Sequence, residues 1–209
     1  MKKFSYKDLK SHYEKCFFIH GDTFKGVDWP NPEDANLRYK IMLDVQRNDL
    51  SGSILDIGCG LAHLYEYIQF HNLKNNYIGL DISDVFIKHC KNKFPDVKFI
   101  CADLIKDPLL ETFDYAILNG IFTEKLSASD AAMKSFFKKI IQTSFLCAKK
   151  GIAFNVMSTS VDWKRNDLFH VKKDWLSNWL SINLSRNFIF RCDYGLWEYT
   201  VYVYKDSYS

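Results

Sequence analysis

Neither sign of charge is in surplus: 28 lysines and arginines face 25 aspartates and glutamates, a net of +3 over 209 residues. Nucleic-acid binding wants a basic stripe or a strongly basic domain, so no nucleic-acid partner is expected. No apolar run approaches the roughly 20 residues that cross a bilayer, and no membrane insertion is expected. The opening MKKFSYKDLKSHYEK has a lysine pair but no apolar stretch behind it, unlike a signal peptide. Paired cysteine motifs are also missing. The six cysteines are scattered, with no C-x-x-C and no His/Cys cluster at zinc spacing, so no metal is expected. Reduced thiols in a cytoplasmic chain follow as the expectation. There is no internal repeat and no low-complexity linker.

What is present is the composition of a globular domain: 47% hydrophobic, 25% charged and 16% aromatic residues. The length suits one domain with an added arm. The expected division is an N-terminal helical or lid segment over 1–50, a core over 51–157, and a closing loop, helix and hairpin over 158–209.

The core is organised around Ser53 to Tyr67, SILDIGCGLAHLYEY. The apolar run Ile54-Leu55-Asp56-Ile57 predicts a strand. The pair Gly58-Cys59-Gly60 predicts a tight turn. Leu61, Leu64, Tyr65 and Ile68 recur at spacings of three and four, as on a helix. Strand, glycine turn and helix form the entrance of a nucleotide-binding unit, where glycines allow close approach and the helix start offers free N–H groups.

Ahead of it, 1–18 reads as a short polar helix, 20–36 as a loop, and about Pro32 to Arg47 as a helix. Beyond it, strands are predicted at 77–80, 97–101, 113–118 and 152–157. Helices are predicted at 84–93, with Ser83 as N-cap, and at 129–148, closed by Gly151. This alternation argues for a parallel sheet covered on both faces. A helix over about 172–182 and two strands, 187–194 and 198–204, joined at Gly195-Leu196, end the chain as an antiparallel hairpin.

Ligands of such a sheet sit beyond the carboxyl ends of the strands. Four predicted ends carry glycine or polar residues: Asp56/Gly58/Gly60, Asp81, Asp103 and Asn119/Gly120. Asp81 follows Gly60 by 21 residues, near the spacing at which an acid reaches ribose hydroxyls. The dinucleotide fingerprint G-x-G-x-x-G fails here, because His63 stands at its last position.

Taken together, Asp56-Ile57-Gly58-Cys59-Gly60, Asp81, Asp103 and the closing Glu198-Tyr199-Thr200-Val201-Tyr202-Val203-Tyr204 resemble class I S-adenosylmethionine-dependent methyltransferases. The segment from Phe154 to Asp162 and the ending YTVYVYK are similar to small bacterial members, some found with enzymes of sugar and surface-polysaccharide assembly. The resemblance implies an α/β, Rossmann-like fold with a mostly parallel central sheet, helices on both faces and an antiparallel C-terminal strand pair. It implies S-adenosylmethionine as cofactor and S-adenosylhomocysteine as product. It implies that Gly58, Cys59, Gly60 and Asp56 border the methionyl part. Asp81 would hold the ribose, with Ile82 also in the cofactor site, Asp103 and the Leu104 backbone would contact the adenine, and Asn119 and Gly120 would line the cleft near the reacting centre. Ala62 stands where the family's third small loop residue is usually glycine.

The acceptor side is expected in two flanking segments. One, 20–38, carries His20, Lys25, Asp28, Trp29 and Arg38. The other, 158–170, carries Ser158, Asp162, Trp163, Arg165 and His170. Arg38 could pair with the cofactor carboxylate and Trp29 could stack over the cofactor. His170, and after it His20, are the candidate bases. Cys59 reads as a loop filler and His63 as a packing residue. The expected acceptor is a small molecule, first a sugar- or phosphate-linked hydroxyl of surface-polysaccharide synthesis. A small amine or amino sugar is the second choice, and a non-catalytic S-adenosylmethionine-binding module the third.

Overall fold

In the computed structural model, residues 5–207 are described. Eight strands form one sheet: β1 (Ser53–Ile57), β2 (Asn76–Asp81), β3 (Lys98–Cys101), β4 (Phe113–Leu118), β5 (Ala148–Ser158), β6 (His170–Val171), β7 (Phe188–Arg191) and β8 (Glu198–Tyr204). Their order is β3-β2-β1-β4-β5-β8-β7, with β6 added beside β5. β1 lies between β2 and β4 and is parallel to both, so the chain winds outward in two directions from it. β8 is antiparallel to β5 and to β7. The expected mostly parallel sheet with antiparallel closing strands is therefore the observed one.

Among the described residues, six α-helices accompany the sheet: α1 (Tyr6–His20), α2 (Pro32–Leu43), α3 (His63–Phe70), α4 (Asp84–Lys93), α5 (Asp130–Cys147) and α6 (Lys173–Asn183). No helix among the described residues is long and apolar enough to cross a membrane. Their starts are set locally. Ser5 and Asp8 form a capping box for α1, and Asn31 caps α2 with Pro32 in its first turn. Ser83 and Ser129 cap α4 and α5 through their hydroxyls.

The central strands are apolar on both sides and feed two cores. Leu55, Ile57, Leu118 and Phe154 pack with Phe137 and Ile141 of α5 and Leu180 of α6. Ile54, Tyr77 and Ile117 pack on the opposite face with Met42 of α2, Ile68 of α3 and Ile87 of α4.

Some boundaries differ from the sequence reading. α5 does not close at Gly151; it passes directly into β5 at Ala148, so Lys149, Lys150 and Gly151 are strand residues. Glycine is required at 151 because β8 presses close: an added Cβ would lie 2.9 Å from the Val203 carbonyl oxygen and from Tyr204. β7 ends at Arg191, short of the expected 194, and β6 arises within a segment read as loop. The part of the first predicted helix at residues 1–4 lies outside the described residues.

Candidate active site

A narrow cavity of about 160 Å³ opens beyond the carboxyl ends of β1 to β4. Its wall includes Gly58, Gly60, Asp81, Ile82, Asp103, Leu104, Asn119 and Gly120. The four strand ends singled out in the sequence thus converge on one space. The glycine turn explains itself here. Gly58 and Gly60 have φ of 72° and 53°, and a Cβ on Gly58 would come within 2.9 Å of Ile121. Ala62 has φ of 61°, so the position carries left-handed backbone despite its methyl group, which accounts for glycine being usual there.

Asp81 ties two strand ends together. One carboxylate oxygen accepts from the Gly60 N–H at 3.0 Å and the other from the Ser83 N–H at 2.8 Å. Burial pushes its carboxyl up to about 6, while those N–H groups pull the other way. Each oxygen keeps a lone pair for a hydroxyl donor in the cavity. Asp56 faces a second, smaller recess that also touches Gly58, Cys59, Trp29 and Asn119. The Tyr77 hydroxyl donates to it at 2.7 Å. Burial pushes this carboxyl up to about 7, against the opposing pull of Tyr77. Asn119 Oδ1 is buried and has no hydrogen-bond partner among the described residues, a standing demand for a donor in the cavity. Cys59 is buried, and its contact with Cys90 together with burial raises the thiol well above its ordinary value, so it is an inert filler of the loop.

The cavity has a roof. Tyr6, Leu9, Lys10 and Tyr13 of α1 line it from above. The Tyr6 hydroxyl donates to Asp103 at 2.6 Å, the Ser83 hydroxyl to Glu14 at 2.6 Å, and Lys10 pairs with Asp84 at 2.9 Å. Tyr13 reaches the Gly120 carbonyl oxygen at 3.5 Å. Behind α1, Asp22 draws His63, His89 and Lys93 together at 2.7 to 2.9 Å. Burial works against this carboxylate, but the three donors outweigh it and hold it well below the usual range. His63 is thus a buried anchor of the loop after α1.

Residues 54–142 match a family described as "Methyltransferase domain". A protein of Mycobacterium tuberculosis (strain ATCC 25618 / H37Rv), Rv1506c, whose name carries a provisional methyltransferase assignment, is 28% identical over 160 residues, covering 74% of this chain and 94% of its own. These matches support a class I S-adenosylmethionine-dependent methyltransferase. Solved structures share the methyltransferase's fold at low identity. Magnesium protoporphyrin IX methyltransferase of Synechocystis PCC 6803, with bound SAH, superposes with a TM-score of 0.67 at 13% identity, covering 97% of this chain and all of its own. Human N-acetylserotonin methyltransferase with SAM superposes with a TM-score of 0.61 at 15% identity, covering 97% of this chain and 66% of its own.

The residues expected to hold the cofactor fit it: an open glycine turn, a carboxylate with spare lone pairs, and an orphaned amide oxygen. Trp29 lines both the cavity and the recess, and a Cβ on Gly120 would lie 3.1 Å from its ring. Arg38 is placed otherwise. Its Nε donates to both carboxylate oxygens of Glu198, at 3.0 and 2.9 Å, and its guanidinium lies 4.7 Å over the Trp29 ring. It backs the tryptophan and lies outside the cavity wall, because the buried Glu198 requires a cation.

Neither candidate base reaches the cavity. His20 ends α1 in solvent. His170 sits in β6, where its Nδ1 donates to the Ser158 carbonyl oxygen at 2.6 Å and its Nε2 is sealed off without a partner.

The roof formed by Tyr6, Lys10, Tyr13 and Glu14 escaped the sequence reading. Its signal was present as Tyr6, Leu9 and Tyr13 at spacings of three and four, an apolar-aromatic stripe that Phe17 continues by four more residues.

Proposed function

We propose that the cavity binds S-adenosylmethionine with Asp81 accepting from the ribose hydroxyls and with Asp103 and the Leu104 backbone bordering the adenine. Asp56, Asn119 and the Gly58–Gly60 turn border the methionyl part, and the Asn119 side-chain Oδ1 accepts an ammonium hydrogen. The observation that carries this reading is the convergence of Gly60, Asp81 and Asp103 on one wall, with the Gly60 N–H bonded to Asp81. When bound, the cofactor supplies a methyl group on a positively charged sulfur that leaves as a neutral thioether. The protein's part is therefore placement: a roof that excludes water and a mouth that aligns one acceptor atom.

The acceptor is a small molecule, with a sugar hydroxyl first. The sequence resemblance to small bacterial methyltransferases, some found with enzymes of sugar and surface-polysaccharide assembly, supports that choice, and with it a cytoplasmic workplace. An amine is the second reading, supported by the carboxylates Asp28 and Glu124 near the roof. A coupled assay for S-adenosylhomocysteine release across neutral sugars, amino sugars and simple amines tests these readings. Turnover with a sugar hydroxyl supports the first and turnover with an amine the second. Donor binding with no turnover across the panel points to a binding module.

A further inference from the structure

Three segments meet beside the Gly120 end of the cavity. α1 brings Tyr13 to the cavity wall and His12 beside it. The short turn Phe24–Val27 leads to Asp28, which stands between the lining residues Val27 and Trp29. The third is the stretch after β4, where Glu124 bridges to Leu168 through the backbone and so joins the loop beyond β5.

His12 Nε2 is 2.7 Å from Asp28 Oδ2, and Cys16 lies one turn further along at 3.9 Å from the same nitrogen. Asp28 holds this position with left-handed backbone, φ 59°. Glu124 is half-buried; burial first, and then the charge of Asp28, push its carboxyl up. Both acids act electrostatically on Tyr13. The other charges nearby are largely committed: Arg165 pairs with Asp167, and Lys125 with Asp130 and the Asn166 and Ala128 carbonyls. The mouth is therefore net acidic, with one imidazole whose Nε2 is spent on Asp28 and whose Nδ1 is the ring atom left for an acceptor.

We propose that His12, Asp28 and Glu124 form the acceptor subsite, and that it takes a neutral hydroxyl or an amine and rejects acceptors with an anionic group at the reacting end. This rests on the donor assignment above, and it narrows the acceptor to one without a phosphate or carboxylate beside the methylated atom. Two carboxylates beside the mouth, Asp28 exposed and Glu124 half-buried, would oppose such a group by Coulomb repulsion.

The test needs no knowledge of the acceptor. Sinefungin resembles S-adenosylhomocysteine but carries an ammonium group where the methyl would leave, aimed at the acceptor side. Calorimetry on the full chain is expected to show sinefungin binding about tenfold tighter than S-adenosylhomocysteine. Asp28→Asn and Glu124→Gln are each expected to cut that preference about threefold or more while leaving S-adenosylhomocysteine affinity unchanged. Asp96→Asn, at an exposed acid in the turn between α4 and β3, should leave the ratio alone. The S-adenosylhomocysteine affinity controls for folding in every variant. A ratio unmoved by both substitutions, with both ligands still bound, overturns the subsite. S-adenosylhomocysteine bound by the unmodified protein with no preference for sinefungin also overturns the subsite, whereas failure of both ligands to bind overturns the donor assignment instead.

Discussion

The Tyr6 hydroxyl donates to Asp103 across 2.6 Å, closing the first helix onto the end of β3. The carboxylate assigned to adenine is thus held by the roof when no ligand competes for it. Burial and the neighbouring Asp103 push the phenol up to about 12, so it stays a donor throughout the physiological range.

Tyr6→Phe removes that donor and keeps the ring stacked on Phe136, 5.7 Å away. Amide hydrogen exchange across α1 is expected to speed up by as much as about tenfold, the equivalent of one hydrogen bond. Exchange in β1 and β4 should be unchanged. An α1 protected as in the unmodified protein would mean that Tyr6 does not hold the roof.

Arg38 and Glu198 make a buried pair, with the Asn155 amide also donating to Glu198 at 3.0 Å. Arg38→Met alone leaves that carboxylate without its cation and should cost about 3–5 kcal/mol of stability by denaturant titration. Adding Glu198→Gln should restore most of it, with S-adenosylhomocysteine affinity kept within about threefold. A double variant that folds but binds tenfold or more weakly would return Arg38 to the cofactor-binding set.

Asp56 sets a pH dependence of stability. Its folded carboxyl lies near 7 and its unfolded one near the ordinary 3.9. The folded state therefore binds more protons between these values, so the stability contributed by Asp56 is present at low pH and is lost as pH rises from about 4 to about 7. Asp81, raised to about 6, acts with the same sign over a shorter window. Asp56→Asn keeps an acceptor for Tyr77 and removes the ionisation. Thermal melts should favour the asparagine variant increasingly from pH 5 to pH 8, by up to about 4 kcal/mol at the upper end. A difference constant across that range would contradict the assignment.

Much of this was legible because it is local. Asp56, Gly58 and Gly60 announce a turn whose φ values the structure displays, and Asp81 and Asp103 fall where apolar runs stop. What stayed hidden depends on partners far away in sequence. Arg38 could be read as free until Glu198, 160 residues on, was seen to claim it. His12 is a plain helix residue until the turn after α1 returns Asp28 to it. Gly151 looked like a helix stop because nothing local reveals that β8 will press against it. Helix periodicity exposed the stripe of Tyr6, Leu9 and Tyr13, but a stripe does not say whether it covers a core or a cleft.

The central claim is that Asp81 holds the ribose of the methyl donor, and its most direct measurement is calorimetric titration of S-adenosylhomocysteine into the unmodified protein and Asp81→Ala. The account predicts one site per chain, weakened about tenfold to a hundredfold in the variant, the loss of a charge-assisted hydrogen-bonding group. Equal affinity in the two proteins, or no binding to the unmodified one at millimolar concentration, would contradict it.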